Sequence, residues 1–286
     1  MSEKVEAKTT EVVLVPVLDV SVALVCGVVA SNRFVWSGIQ LLRIWIAWLV
    51  ADIVLGLVFA QWRVLKGVNL QEILERERGG SPMLFPYAVS GSPARRLTRA
   101  IDGLVSQWEE VVWPRAGRAA LTAILGAALA LAMATFLGPE MLAIVALGLV
   151  FGVGLMVACD ERDALSRWLR FLQISLAWIL GTRVLGPLTS PTVGLALLMG
   201  LGAYAREGFG VGGERGFFRL LRLTNWSFIL LLLLSQQPAL AVVIVIASLA
   251  EAMSCEEEPL RGGRSPLCSV PWFASALTAA LAVTRW

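Results

Sequence analysis

The chain has 286 residues, 57% of them hydrophobic and only 16% charged, with a formal net charge of +3 and a mean hydropathy of +0.75. A water-soluble domain of this length carries about a quarter charged residues, so the composition excludes that class and points to repeated spanning helices. The absence of histidine excludes His-ligated haem or chlorophyll, His-box di-iron chemistry and a Ser-His-Asp triad.

Nine apolar segments follow in chain order, at 12–31, 34–62, 118–137, 140–159, 168–186, 191–205, 223–236, 238–254 and 270–284. Most are long enough for a hydrocarbon core of roughly 30 Å; the sixth, seventh and ninth are short and invite tilting or re-entry. The polar start Met1–Thr10 and the apolar run after it lack a small-residue cleavage site, so no signal peptide is expected.

The basic residues set the orientation. Twenty of the 24 fall on one side of these segments: Lys4 and Lys8, then Arg63 to Arg118, then Arg162, Arg167 and Arg170, then Arg206, Arg215, Arg219 and Arg222, then Arg261 and Arg264. The other side holds Arg33, Arg183 and Arg285, while Arg43 lies within a segment. Positive charge marks the cytoplasmic face. The expected fold is therefore all-α: a polytopic transmembrane helix bundle of about nine spans, N-terminus cytoplasmic and C-terminus outside. It would be one integral membrane domain over 1–286, in a prokaryotic plasma membrane, in contact with membrane lipid and with no nucleic-acid partner.

Tryptophan fits this frame. Trp36, Trp62, Trp113, Trp168, Trp272 and Trp286 sit near segment ends, where indole prefers the headgroup level. Trp45, Trp48 and Trp178 read instead as helix packing. Cys26, Cys159, Cys255 and Cys268 form no close CxxC pair and read as isolated thiols.

The region 63–117 reads as a long cytoplasmic loop and carries the richest polar pattern. Glu72 and Glu75 are three apart and would share a helix face, with Arg76 and Arg78 beside them. Paired carboxylates there suit Mg²⁺ held against a diphosphate, and the arginines suit phosphate oxygens. A solvated helix with Glu/Arg pairs is the simpler reading. Farther on, Leu97, Ile101, Leu104, Trp108 and Val112 repeat at three- or four-residue steps after Arg95, Arg96 and Arg99, as in a helix lying in the interface.

The 206–222 region is glycine-rich and carries Arg206, Glu207, Glu214 and Arg215. It suits either backbone N–H groups approaching a phosphate or a flexible hinge. Within the spans, Asp19 and Asp52 lie about 7 and 10 residues from the cytoplasmic side, roughly 10–15 Å deep, and Arg43 lies farther out. Such residues either line a cavity or pair between helices. Arg43 and Asp52 are nine apart, on opposite helix faces, and so do not pair with each other.

This topology resembles the UbiA superfamily of intramembrane prenyltransferases. Asn69, Glu72 and Glu75 stand where that family has an Asp-rich motif after the second span. Phe85-Pro86-Tyr87-Ala88-Val89-Ser90-Gly91 follows as a loose counterpart of its Arg-Pro-x-x-x-Gly segment. Glu207, Glu214 and Gly216 stand where the second Asp-rich motif lies, with Glu in place of Asp and different spacing. The resemblance implies transfer of an isoprenoid group from its diphosphate to a hydrophobic acceptor at the cytoplasmic face. Mg²⁺ would be held by Glu72, Glu75, Glu207 and Glu214, and the diphosphate by Arg76, Arg78 and Arg206. Two other expectations stand beside it: a non-catalytic relative acting as scaffold or lipid-binding subunit of a membrane complex, and a transporter using Asp19, Arg43 and Asp52.

Overall fold

A computed structural model describes residues 19–33, 35, 37–67, 116–212, 215–234, 241–246, 248 and 270–283. These residues are helical apart from short turns, and no strand occurs among them. In chain order the helices are α1 (Asp19–Ala30), α2 (Gly38–Lys66), α3 (Arg118–Leu137), α4 (Pro139–Ala158), α5 (Arg162–Leu185), α6 (Ser190–Gly212), α7 (Arg215–Leu234) and α8 (Val270–Val283). A further helical stretch covers 241–246. Each apolar segment expected from the sequence is thus helical over most of its described residues. Helices α2, α3 and α4 are long and apolar enough to cross a membrane.

Three boundaries differ from expectation for one reason: a helix does not end where its apolar run ends. α2 continues through Arg63 to Lys66, so the loop expected from 63 starts later. Arg162, Arg167 and Arg170 lie on α5, which has 24 residues, and not in a charged loop. Their turn is supported by Leu165, Leu169 and Leu172, a four-then-three repeat whose side chains are buried. The glycine-rich stretch after 205 is helix up to Gly212, and α7 starts at Arg215, so neither an open phosphate cradle nor a hinge occupies 206–212. The sixth and seventh segments, short as apolar runs, consequently become helices of 23 and 20 residues.

Local chemistry explains the entries. Ser37 caps α2 from an extended backbone, its side chain accepting from the Gln40 N–H at 3.3 Å, while Gln40 Oε1 accepts from the Val35 N–H at 2.8 Å. Ser37 thereby satisfies one donor that the first helical turn leaves unpaired, and Gln40 ties down the backbone that leads into the helix. Between α3 and α4 the chain reverses at Gly138, whose φ of +121° only glycine adopts freely, and Pro139 starts α4 where its missing N–H costs nothing. The reversal falls in the two-residue gap between the apolar segments 118–137 and 140–159.

The chain divides into two compact units, Met1–Gly56 with Ala127–Trp286, and Leu57–Gly126. In the second unit Gly126 lets α3 approach Val58; a Cβ there would lie 2.8 Å from the valine side chain. Phe59 and Trp62 lie 5.2 Å apart between ring centroids, tilted by 39°, and both are buried, so Trp62 packs within the unit four residues before α2 ends.

The first unit is organised around α5. It packs on α2, α4 and α6, and buries Leu172 through Trp178 without a break. Glycines set its closest contacts. A Cβ on Gly27 of α1 would overlap the Trp178 carbonyl oxygen, and one on Gly181 would overlap the Leu24 carbonyl oxygen. The two glycines are reciprocal, so α1 and α5 meet backbone to backbone. Close approach of small residues drives helix association in lipid, where apolar burial alone offers little. Gly200 of α6 plays the same part against Phe171 and Ser175, and Ser175 Oγ donates to the Ala196 carbonyl at 3.0 Å.

Elsewhere the helices turn large apolar side chains outward. Phe136 is 79% exposed and Val157 77%, with Leu147 and Val150 close behind. Water disfavours so much contiguous apolar surface, whereas acyl chains accept it. Trp45 is also outward, 56% exposed, contrary to the packing role expected of it; it stands on the same open side as Ile39 and Leu42. Trp178 is fully buried, as expected.

Candidate functional site

The contacts on α5 fix the relative directions of its neighbours. Asp19 meets Arg170, and Gly27 meets Trp178, so α1 and α5 run parallel. Glu140 at the start of α4 meets Arg183 near the end of α5, and Ser166 near the start of α5 meets Glu207 near the end of α6, so α4 and α6 run antiparallel to it. The first unit therefore has two polar ends, one carrying Asp19, Arg167, Arg170 and Glu207, the other Arg33, Glu140 and Arg183.

At the first end a polar seam joins α1, α2 and α5. Arg170 donates to Asp19 Oδ2 at 2.7 Å, with the two side chains 12% and 18% exposed. Ser21 Oγ donates to Asp52 Oδ2 at 2.9 Å and accepts from Trp48 Nε1 at 2.9 Å. Asp52 sits in a π-helical segment of α2, Leu49–Val54, whose wider turn frees backbone carbonyls; Gln173 of α5 donates to the Ala51 carbonyl at 3.3 Å. Of the two readings open for Asp19 and Asp52, interhelix pairing is the one observed. Asp19 Oδ1 is buried with no hydrogen-bond partner.

Beside the seam, at the ends of α5, α6 and α7, lies an aromatic and cationic cluster. Arg167 places its guanidinium 5.1 Å from the Phe217 ring centroid and 6.0 Å from that of Tyr204, both within cation–π range. Trp168 lies 4.8 Å from Tyr204, and Tyr204 5.9 Å from Phe217. Gly208 makes room, since a Cβ there would collide with the Phe217 ring. That is the physical use of a glycine in what reads, in sequence, as a loop. Arg167 Nε is buried without a hydrogen-bond partner, a donor held ready for an acceptor.

Of the residues expected to bind metal, Glu207 belongs to this cluster; its Oε1 accepts from Ser166 Oγ at 3.4 Å. Arg206, expected on diphosphate, lies beside it on the last turns of α6. Glu72, Glu75, Arg76, Arg78 and Glu214 lie outside the described residues, as does the amphipathic stretch 97–112. Among the described residues no three His, Cys, Asp or Glu side chains gather as a metal site. Glu207 alone is not a donor set for Mg²⁺, which takes one or two carboxylates with further oxygens.

Arg43 is at the other end. It lines a cavity of about 440 Å³ together with Arg33, Glu140 and Arg183. Sequence reasoning did not anticipate Arg167, Tyr204 and Phe217. The signal for Arg167 lay in the buried Leu165–Leu169–Leu172 repeat, which carries the helix through the charged stretch. Comparison with family models, with curated proteins and with solved structures yields no match.

Proposed function

We propose that the chain is a multi-pass protein of about nine spans, N-terminus cytoplasmic, that binds an isoprenoid diphosphate at the ends of α5, α6 and α7 and transfers the prenyl group to a hydrophobic acceptor. The observation that carries this reading is Arg167. Its guanidinium stands against two aromatic rings with a buried, unpartnered N–H, one helix away from Glu207. An anionic head with an apolar tail matches a cation set among aromatic rings at a membrane face.

In this reading Arg167 and Arg206 hold the diphosphate, and Tyr204, Phe217 and Trp168 wall the first isoprene unit. The allylic carbon–oxygen bond breaks, diphosphate departs with the electron pair, and the acceptor nucleophile bonds to that carbon and gives up its proton. Mg²⁺, when bound, would neutralise charge on the leaving diphosphate. Glu207, Glu72, Glu75 and Glu214 remain its proposed ligands.

Purified protein in mild detergent, titrated with isoprenoid diphosphates of several lengths, is expected to bind at least one of them. Arg167→Gln should weaken that binding roughly tenfold or more, the loss of a charge-assisted hydrogen bond. Absence of binding to every diphosphate tried would sink the reading. If Glu72→Gln with Glu75→Gln leaves prenyl transfer unchanged, those two residues are not ligands.

A second reading, a non-catalytic scaffold or lipid-binding subunit, draws on Glu207, which belongs to no group of three or more His, Cys, Asp or Glu side chains among the described residues. A stoichiometric partner recovered with the protein from mild detergent would favour it. The transporter reading loses ground because Asp19 and Asp52 are engaged with Arg170 and Ser21.

A further inference from the structure

At the end of the first unit remote from Arg167, three arginines from three separate elements converge on one cavity of about 440 Å³. Arg33 comes from the turn after α1, Arg43 from α2 and Arg183 from the last turn of α5. In sequence they are 10 and 140 residues apart. They comprise two of the three arginines on the sparsely charged side and the one within a span, so their convergence is not a by-product of a basic loop.

The charges do not cancel. Arg183 forms an ion pair with Glu140 and donates from Nη1 to the Gly186 carbonyl at 3.0 Å, so its charge and fork are largely used. No ion pair or side-chain hydrogen bond engages the guanidinium of Arg33 or Arg43 among the described residues. Arg43 lies five residues into α2, about 7–8 Å along the helix from its start, where an unpaired guanidinium is costly in lipid and marks a site.

We propose that this cavity binds a phosphate group, held by Arg33 and Arg43, with the Arg183–Glu140 pair fixing its far wall. Two planar forks approaching from different elements suit a tetrahedral oxyanion better than a single carboxylate. The volume exceeds what phosphate alone fills and falls in the range of small-molecule sites. On α2, Ile39 lies one turn before Arg43 on the same face and is 72% exposed, an apolar neighbour of the cavity against which an acyl or polyprenyl chain can lie. The phosphate can thus belong to a lipid headgroup or to a soluble ligand.

The test uses the full-length chain and Arg33→Gln with Arg43→Gln, two exposed positions. One arm records thermal stability in detergent against inorganic phosphate, with chloride at matched ionic strength as control. The other reconstitutes the protein in phosphatidylcholine, with and without phosphatidylglycerol, and counts retained phospholipid by native mass spectrometry. A phosphate-dependent shift identifies a soluble ligand, and one retained anionic lipid identifies a headgroup. Either supports the site if the double variant weakens it tenfold or more while Arg43→Lys keeps part of it. If the wild-type chain responds in neither arm, or the double variant matches it, the proposal is wrong. Should the double variant aggregate, Arg43→Gln alone is compared with Arg43→Lys by the same readouts.

Discussion

Replacing Arg170 with methionine is expected to destabilise the protein by about 3–5 kcal/mol, the cost of removing one partner from a buried charge pair. Asp19 would lose its ion-pair partner with Oδ1 already lacking a hydrogen bond, in a side chain that is 18% exposed. Asp52, itself buried, belongs to the same seam through Ser21. Chemical unfolding in detergent measures the loss. Asp19→Asn combined with Arg170→Met should be less damaging than the sum of the single changes, because the pair is coupled. A single Arg170 variant within about 0.5 kcal/mol of the wild type would show that the pair adds nothing beyond an exposed surface bridge.

The second large effect concerns the crossing of α1 and α5. Gly27→Ala or Gly181→Ala inserts a methyl group into a backbone carbonyl of the facing helix. Overpacking commonly costs about 1–3 kcal/mol, and these sites belong at the upper end because a carbonyl cannot rotate away as a side chain can. The remedy open to the protein is to part the helices, which lengthens the Asp19–Arg170 contact as well. Cysteines placed on facing turns of α1 and α5 should then crosslink more slowly in either variant. Unchanged crosslinking together with unchanged stability would refute the reciprocal packing.

Long apolar runs located the helices, and the reversal between α3 and α4 falls where two of those runs meet, at 137 and 140. Hydropathy failed at Lys66, at Arg162 and at 206–212 because it reports the environment of a side chain, whereas a helix is set by backbone bonding and capping. The π-helical segment around Asp52 has no signature in period, since it depends on Gln173 bonding the Ala51 carbonyl from 122 residues away. The glycine crossing was invisible for the same reason: each glycine has meaning only against the other helix. Of the residues expected at the site, Glu207 and Arg206 lie on the last turns of α6, while Arg167, its aromatic partners and the arginines around Arg43 emerge from tertiary proximity.

The parallel arrangement of α1 and α5 bears on the order of assembly. Asp19 and Arg170 are 151 residues apart, so a chain synthesised from its N-terminus inserts the acid long before its counter-ion exists. Through that interval α1 has only nearer partners. Ser21 reaches Trp48 and Asp52 across 27 and 31 residues, so the α1–α2 hairpin can close its own polar contacts as soon as α2 emerges.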